Sequence, residues 1–286
     1  MSADRYASQL RAIVGGTTLL SAESARIVTR AGTVVETAIA NQRGPWLGLA
    51  DALYAGFYNA PGRPIFRSTT DPDAFLTALR AANVLRQRYD HGQPLPREAI
   101  TSQYGHYSML GRLMHDAGTG RQVRFYWNLT VEGAPAFVGE ITRRFERARI
   151  PFQAKLPVHP AGFSRTDGGV LYLGDDDVDA AIDPILATYA ALRPALRDEV
   201  PFFSLQLAPG LSFAESPPSG DSFGMHRCDL IAEGLVRAHE RAAEGSEERY
   251  AAVRERLTAY GLEIDRFAFN PTSRYPYRLS AFGVAA

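Results

Sequence analysis

Two kinds of pattern divide the chain near residue 120. Up to that point the apolar positions recur mostly at helical spacing. Residues 20–42 and 46–58 show it, for example at Leu47, Leu49, Ala50, Leu53 and Phe57, and both stretches predict helices. The turn residues "NAPGRP", 59–64, close the second. "TDPDAFLTALRAANVLRQRYD", 70–90, predicts a further helix. Its acids come first and its arginines last, the order a helix dipole favours. "HGQPLP" ends it.

Beyond residue 120 short alternating runs appear between the helical ones. "RQVRFYWNLTV" (121–131) is rich in aromatic and β-branched residues and predicts a strand. "IPFQAKLPV" (150–158), "GGVLYLG" (168–174) and "VPFFSLQLA" (200–208) predict three more. Helices are predicted over 134–149, over 175–196 with acids at its start, and over 222–243 and 246–261. Strands and helices mix without strict βαβ alternation. The expected class is therefore α+β: an antiparallel-rich mixed sheet with surrounding helices and a helical N-terminal part. A mainly helical region 1–120 would precede an α+β region 121–286. The boundary is soft, and a single domain fits as well.

Composition narrows the function classes. The 286 residues include 45% hydrophobic and 22% charged, an ordinary globular balance. Net charge is zero and the pI is near 7.0, which argues against a nucleic-acid partner. The one cysteine, Cys228, excludes an internal disulfide framework. No run has the ~20 apolar residues a bilayer span needs, and "MSADRYASQLRAIVGG" has no signal-peptide core, so a cytoplasmic location without membrane contact is expected.

Familiar motifs explain little. "GDSFG" (220–224) matches the G-x-S-x-G elbow of serine hydrolases with Ser222 as nucleophile. No strand precedes it, and no acid-then-histidine order follows. Ser222 or Asp221 as a helix N-cap is the plainer reading. "GDDDVD" (174–179) lacks the spacing of a calcium loop and suits a helix start. No P-loop, G-x-G-x-x-G, H-E-x-x-H or C-x-x-C is present, and neither cofactor nor metal is expected.

The basic residues offer more. Of 31, thirty are arginine and one is Lys155. Arg121 and Arg124 open one predicted strand, Arg165 follows the Lys155 strand by a short loop, and Arg227 sits in the first turn of a predicted helix. Arginine forks suit phosphate, and helix N-termini add N–H donors. Lys155 lies in the apolar context "IPFQAKLPV". Apolar surroundings and nearby cations depress a lysine pKa and allow a neutral amine to act as general base. Arginine, always protonated, cannot do so.

"RFYWNLT", "PFQAKLPVHPAGFSRTDGGVLYLG" and "APGLSFAESPPSGDSFGMHRCDLIAEGL" together resemble the HopA-type effector family. The resemblance covers roughly residues 45–240. That family includes type III effectors and proteins of ribosomal-peptide clusters making class V lanthipeptides and thioamitides. It is similar in turn to the phosphothreonine lyases, which remove phosphate by metal-free β-elimination. The resemblance implies a lyase that converts phosphoserine or phosphothreonine in a precursor peptide to dehydroalanine or dehydrobutyrine. Lys155 in "QAKL" matches the lyase base. "RFY" places Arg124 at a lyase lysine and Tyr126 where the lyases carry a histidine acid, which leaves Tyr126, His159 and His226 as candidate acids. Arg124, Arg165 and Arg227 match phosphate-holding arginines, and Tyr172 an active-site tyrosine. Asn128 or Tyr126 would support the enolate. With no kinase motif in the chain, a separate phosphotransferase-like kinase, in complex, would supply the phosphate. The alternative implied by the same family is an effector that binds host proteins.

Overall fold

The computed structural model describes residues 2–62, 68–101, 105–111, 121–243, 245–274 and 276–283. The expected boundary at residue 120 and the last two residues of the 59–64 turn lie outside these. In chain order the elements are α1 (Ser2–Gly16), β1 (Thr17–Leu19), β2 (Ser24–Val28), β3 (Val34–Ala38), α2 (Leu47–Leu53) running into a π turn (Tyr54–Tyr58), α3 (Pro72–Ala82), β4 (Arg88–Asp90), β5 (Gln93–Leu95), β6 (Glu98–Thr101) and β7 (His106–Leu110). There follow β8 (Gln122–Trp127), α4 (Ala134–Ala148), β9 (Gln153–Pro157), β10 (Gly169–Gly174), α5 (Val178–Leu192), β11 (Leu205–Ala208), β12 (Leu211–Glu215), α6 (Phe223–Glu240) and α7 (Ser246–Ala259). The fold is α+β with a helix at the N-terminus.

The chain forms two compact units. One comprises Met1–Pro64, Pro201–Leu205 and Ala214–Ser273; the other comprises Ile65–Val200, Gln206–Phe213 and Arg274–Ala286.

In the first unit β1, β2 and β3 make an antiparallel three-stranded sheet, and α6 packs against α7 and α2. The helix expected over 20–42 is therefore a hairpin. Its alternation explains why: Ala25 and Ile27 are buried while Arg26 and Val28 are exposed. A two-residue period also repeats at every fourth position, so it imitates helical spacing. Val28, Val34 and Val35 favour strands, Gly32 takes the positive φ (79°) that the turn requires, and Arg26 pairs across the strands with Glu36 at 2.8 Å.

In the second unit α3 ends earlier than expected. Asp71 caps it by accepting from the Ala74 N–H at 2.8 Å, but Asn83 turns extended. The Asn83 side chain is taken up by the Leu85 N–H and the Tyr107 hydroxyl, and the chain goes on to β4. The strand expected over 200–208, which runs from one unit into the other, is only Leu205–Ala208, because Phe203 adopts a φ of 67°.

The seven-stranded sheet has the order β11-β12-β8-β10-β9-β7-β6, and β8, β10, β9, β7 and β6 pair antiparallel in turn. Strand alternation gives it two unlike faces. On one face Val123, Phe125, Trp127, Leu171, Ala154 and Met109 are completely buried. Helix α4 covers them, with Phe137 set 5.7 Å from Trp127 between ring centroids and Phe145 5.3 Å from Phe152. Each large apolar side chain so buried contributes on the order of 1.5–3 kcal/mol.

Candidate functional site

The opposite face of the same strands carries charged and polar residues among a few apolar ones. Directly paired residues share a face, so the registers set out its rows. Tyr126 on β8 faces Val170 on β10, Val170 faces Lys155 on β9, and Lys155 faces Ser108 on β7. The next row is Arg124, Tyr172, Gln153 and Leu110. One step the other way, His106 faces Pro157.

Tyr172 sits among cations. The Arg124 guanidinium carbon lies 5.3 Å, and the Lys155 Nζ 5.6 Å, from its ring centre. Both are within the ~6 Å at which a ring face attracts a cation. Arg124 and Tyr172 are buried and Lys155 is half-buried. The loop from β9 to β10 adds Arg165, whose Nε and Nη2 each bond Asp167 at 2.7 Å. This fork holds the guanidinium in one orientation. His106 lies within the field of both cations. Burial above all, then Lys155 and Arg165, lower its pKa to about 4, and Asp167 opposes them. The face thus gathers an amine, two guanidinium groups, a neutral imidazole and a tyrosine: positive charge for an oxyanion, with groups able to move protons beside it.

The sequence singled out Lys155, Arg124, Arg165, Tyr172 and Tyr126, and the sheet brings them onto or beside one face. Tyr126 is buried there, two strands away from Lys155. Asn128 follows β8 and holds the strand end: its amide donates to the Glu199 carbonyl at 2.9 Å, and its backbone bonds Gly210 and Arg197. Arg121 is exposed, and its carbonyl accepts from the Asp175 N–H. His159 is exposed beyond the end of β9.

Arg227 and His226 belong to the first unit. Arg227 is fully buried. Its guanidinium donates to the Phe267 and Phe269 carbonyls at 3.2 and 3.0 Å and to Asn270 Oδ1 at 3.2 Å, and it meets His226 Nδ1 at 2.8 Å. Phe223 and Phe267 flank it. Burial and Arg227 lower the His226 pKa to about 4. Ser222 caps α6, accepting from the Met225 N–H at 3.2 Å. Asp175–Asp177 form a short turn before α5, and Arg274 pairs with Asp175 and Asp176. Among the described residues no group of three or more His, Cys, Asp or Glu side chains is placed to hold a metal ion. None of the described helices is long and apolar enough to cross a membrane.

Sequence reasoning missed His106 and Ser108. The alternation in "HYSML" was the available signal, but its pairing with β9 joins distant parts of the chain.

Comparison with known proteins bears on the whole arrangement. Two solved structures share the fold. One is an effector protein from Pseudomonas syringae pv. tomato strain DC3000, at 19% identity and a TM-score of 0.50; the other is an effector protein from Pseudomonas syringae pv. syringae strain 61, at 14% and 0.51. Each match covers 77% of this chain and 88% of the other. No curated protein matches the sequence. The model of the HopA1 effector protein family matches residues 99–269, a span that takes in β7 to β10 with Lys155, Arg124 and Tyr172. That span is more than half of the 286 residues, and the chain belongs to the HopA1 effector protein family.

Proposed function

We propose that the protein is a lyase that removes phosphate from phosphoserine or phosphothreonine in a ribosomally made precursor peptide. The product is dehydroalanine or dehydrobutyrine. The observation that carries this reading is the gathering of Lys155, Arg124, Tyr172 and Arg165 on or beside one sheet face, where the phosphothreonine lyases that the sequence resembles need a base and phosphate ligands.

Lys155, as the free amine, takes the α-proton. The electron pair left on Cα forms the double bond to Cβ, and the Cβ–O bond breaks. Arg124 and Arg165 hold the phosphate and stabilise the charge that grows on it as it leaves. Tyr172 keeps Lys155 and Arg124 in place through its ring face. A separate phosphotransferase-like kinase supplies the substrate and passes it on within a complex.

A second reading rests on a specific finding: the two solved structures named above are effector proteins. In that reading the chain binds host proteins without turning over a phosphopeptide. Mass spectrometry of a synthetic phosphopeptide after incubation separates the possibilities. Elimination gives the dehydro residue, a phosphatase returns the hydroxyl form, and a binding protein leaves the peptide unchanged.

A further inference from the structure

We propose that His106 protonates the departing phosphate oxygen, so that β7 and β9 together carry the acid–base pair. The inference rests on the lyase reading and assigns the acid which the sequence left open among Tyr126, His159 and His226.

Placement on the sheet is the first argument. The acid and the base must bracket one residue of substrate, each within about 3 Å of its own proton's donor or acceptor. His106 is the diagonal neighbour of Lys155 on the adjacent strand, because Ser108 faces Lys155 and His106 faces Pro157. Diagonal neighbours stand roughly 7–8 Å apart, within reach of long side chains. Tyr126 shares the Lys155 row but lies two strands away, with Val170 between, at about 10 Å by strand spacing. His159 is exposed beyond the strand end.

Charge is the second argument. Among the described residues, burial first, then Lys155 on β9 and Arg165 in the following loop, disfavour a proton on His106, and Asp167 favours one. The imidazole is therefore neutral near pH 7 in the empty site. A phosphate dianion bound against the imidazole favours the form of the site in which the proton sits on His106 and Lys155 is the free amine, with the total proton count unchanged. The acid then forms only when there is a leaving group to receive its proton. The step balances: Lys155 gains the α-proton, the Cβ–O bond breaks with its pair on oxygen, and His106 gives that oxygen its proton. Hydrogen phosphate, neutral imidazole and the alkene result.

The test uses the full chain and a short N-acetylated peptide with one central phosphothreonine. His106→Ala should lower kcat by about 10²–10⁴-fold with little change in KM, and added imidazole should restore part of the loss. His106→Gln should lose as much without rescue. Wild-type kcat should fall on the alkaline side as the bound-state imidazolium deprotonates, a readout that needs no variant to fold. Retention of wild-type kcat by either variant, a loss confined to KM, a folded His106→Ala that imidazole does not rescue, or a kcat without an alkaline fall would overturn the assignment. A wild-type protein that eliminates nothing overturns the lyase reading itself, and the two failures are distinguishable.

Discussion

On β8, Val123, Phe125 and Trp127 point to one side of the sheet and Arg124 and Tyr126 to the other. On β9, Ala154 and Leu156 share the first side and Gln153 and Lys155 the second. Neighbouring residues of one strand thus serve different ends. The first side is shut by aromatic packing against α4; the second collects charge. The packed side fixes the register, and the register decides which polar groups meet. A slip of one residue would turn Lys155 into the packed face and Leu156 out of it.

Substitutions at Lys155 and Trp127 separate the two sides, and substitutions at Arg227 and His226 test the buried pair in the first unit. The largest effect belongs to Lys155. Lys155→Arg keeps the charge but loses the base, and Lys155→Ala loses both, so each should reduce elimination by about 10²–10⁴-fold with an unchanged circular dichroism spectrum. On the packed side, Trp127→Ala should cost about 3–5 kcal/mol of stability by opening a cavity against Phe137, read from a denaturant titration. A small loss there would mean that the face is not what fixes the sheet.

Arg227 tests whether a buried arginine is a ligand for substrate or a brace. Its bonds to Phe267, Phe269 and Asn270 predict that Arg227→Gln costs about 3 kcal/mol through carbonyls left unpaired. A variant of full stability whose KM alone rises would assign Arg227 to substrate instead.

The smallest effect is in pH. His106 and His226 are each held at about 4, below the ordinary 6.5. Between these values the unfolded chain binds protons that the folded one refuses. Their contribution to stability is therefore whole above pH 6.5 and is lost as pH falls toward 4. His226→Gln should weaken the drop in denaturation midpoint between about pH 7 and about pH 4.5. An equally steep drop in the variant would contradict that origin.

Much of the second side was legible in the sequence. The alternation in "RQVRFYWN", "PFQAKLPV" and "GGVLYLG" gave β8, β9 and β10, the distribution of basic residues drew attention to Lys155 and Arg124 on them, and the family resemblance added Tyr172. Helices α4 to α7 followed from spacing. The β2–β3 hairpin did not, because a two-residue period with valines at its ends also satisfies helical spacing. His106 did not either: its strand joins β9 by long-range pairing, and local pattern carries no record of that. Asn128 and Arg227 were legible as polar residues near the right segments, but their burial and backbone partners were not, since these depend on the packed chain.

The most direct measurement is the mass spectrum of a phosphothreonine peptide after incubation with the wild-type chain and with Lys155→Arg. The account predicts loss of phosphoric acid with the wild type and an intact phosphopeptide with the variant. A hydroxyl product, or full elimination by Lys155→Arg, would contradict it.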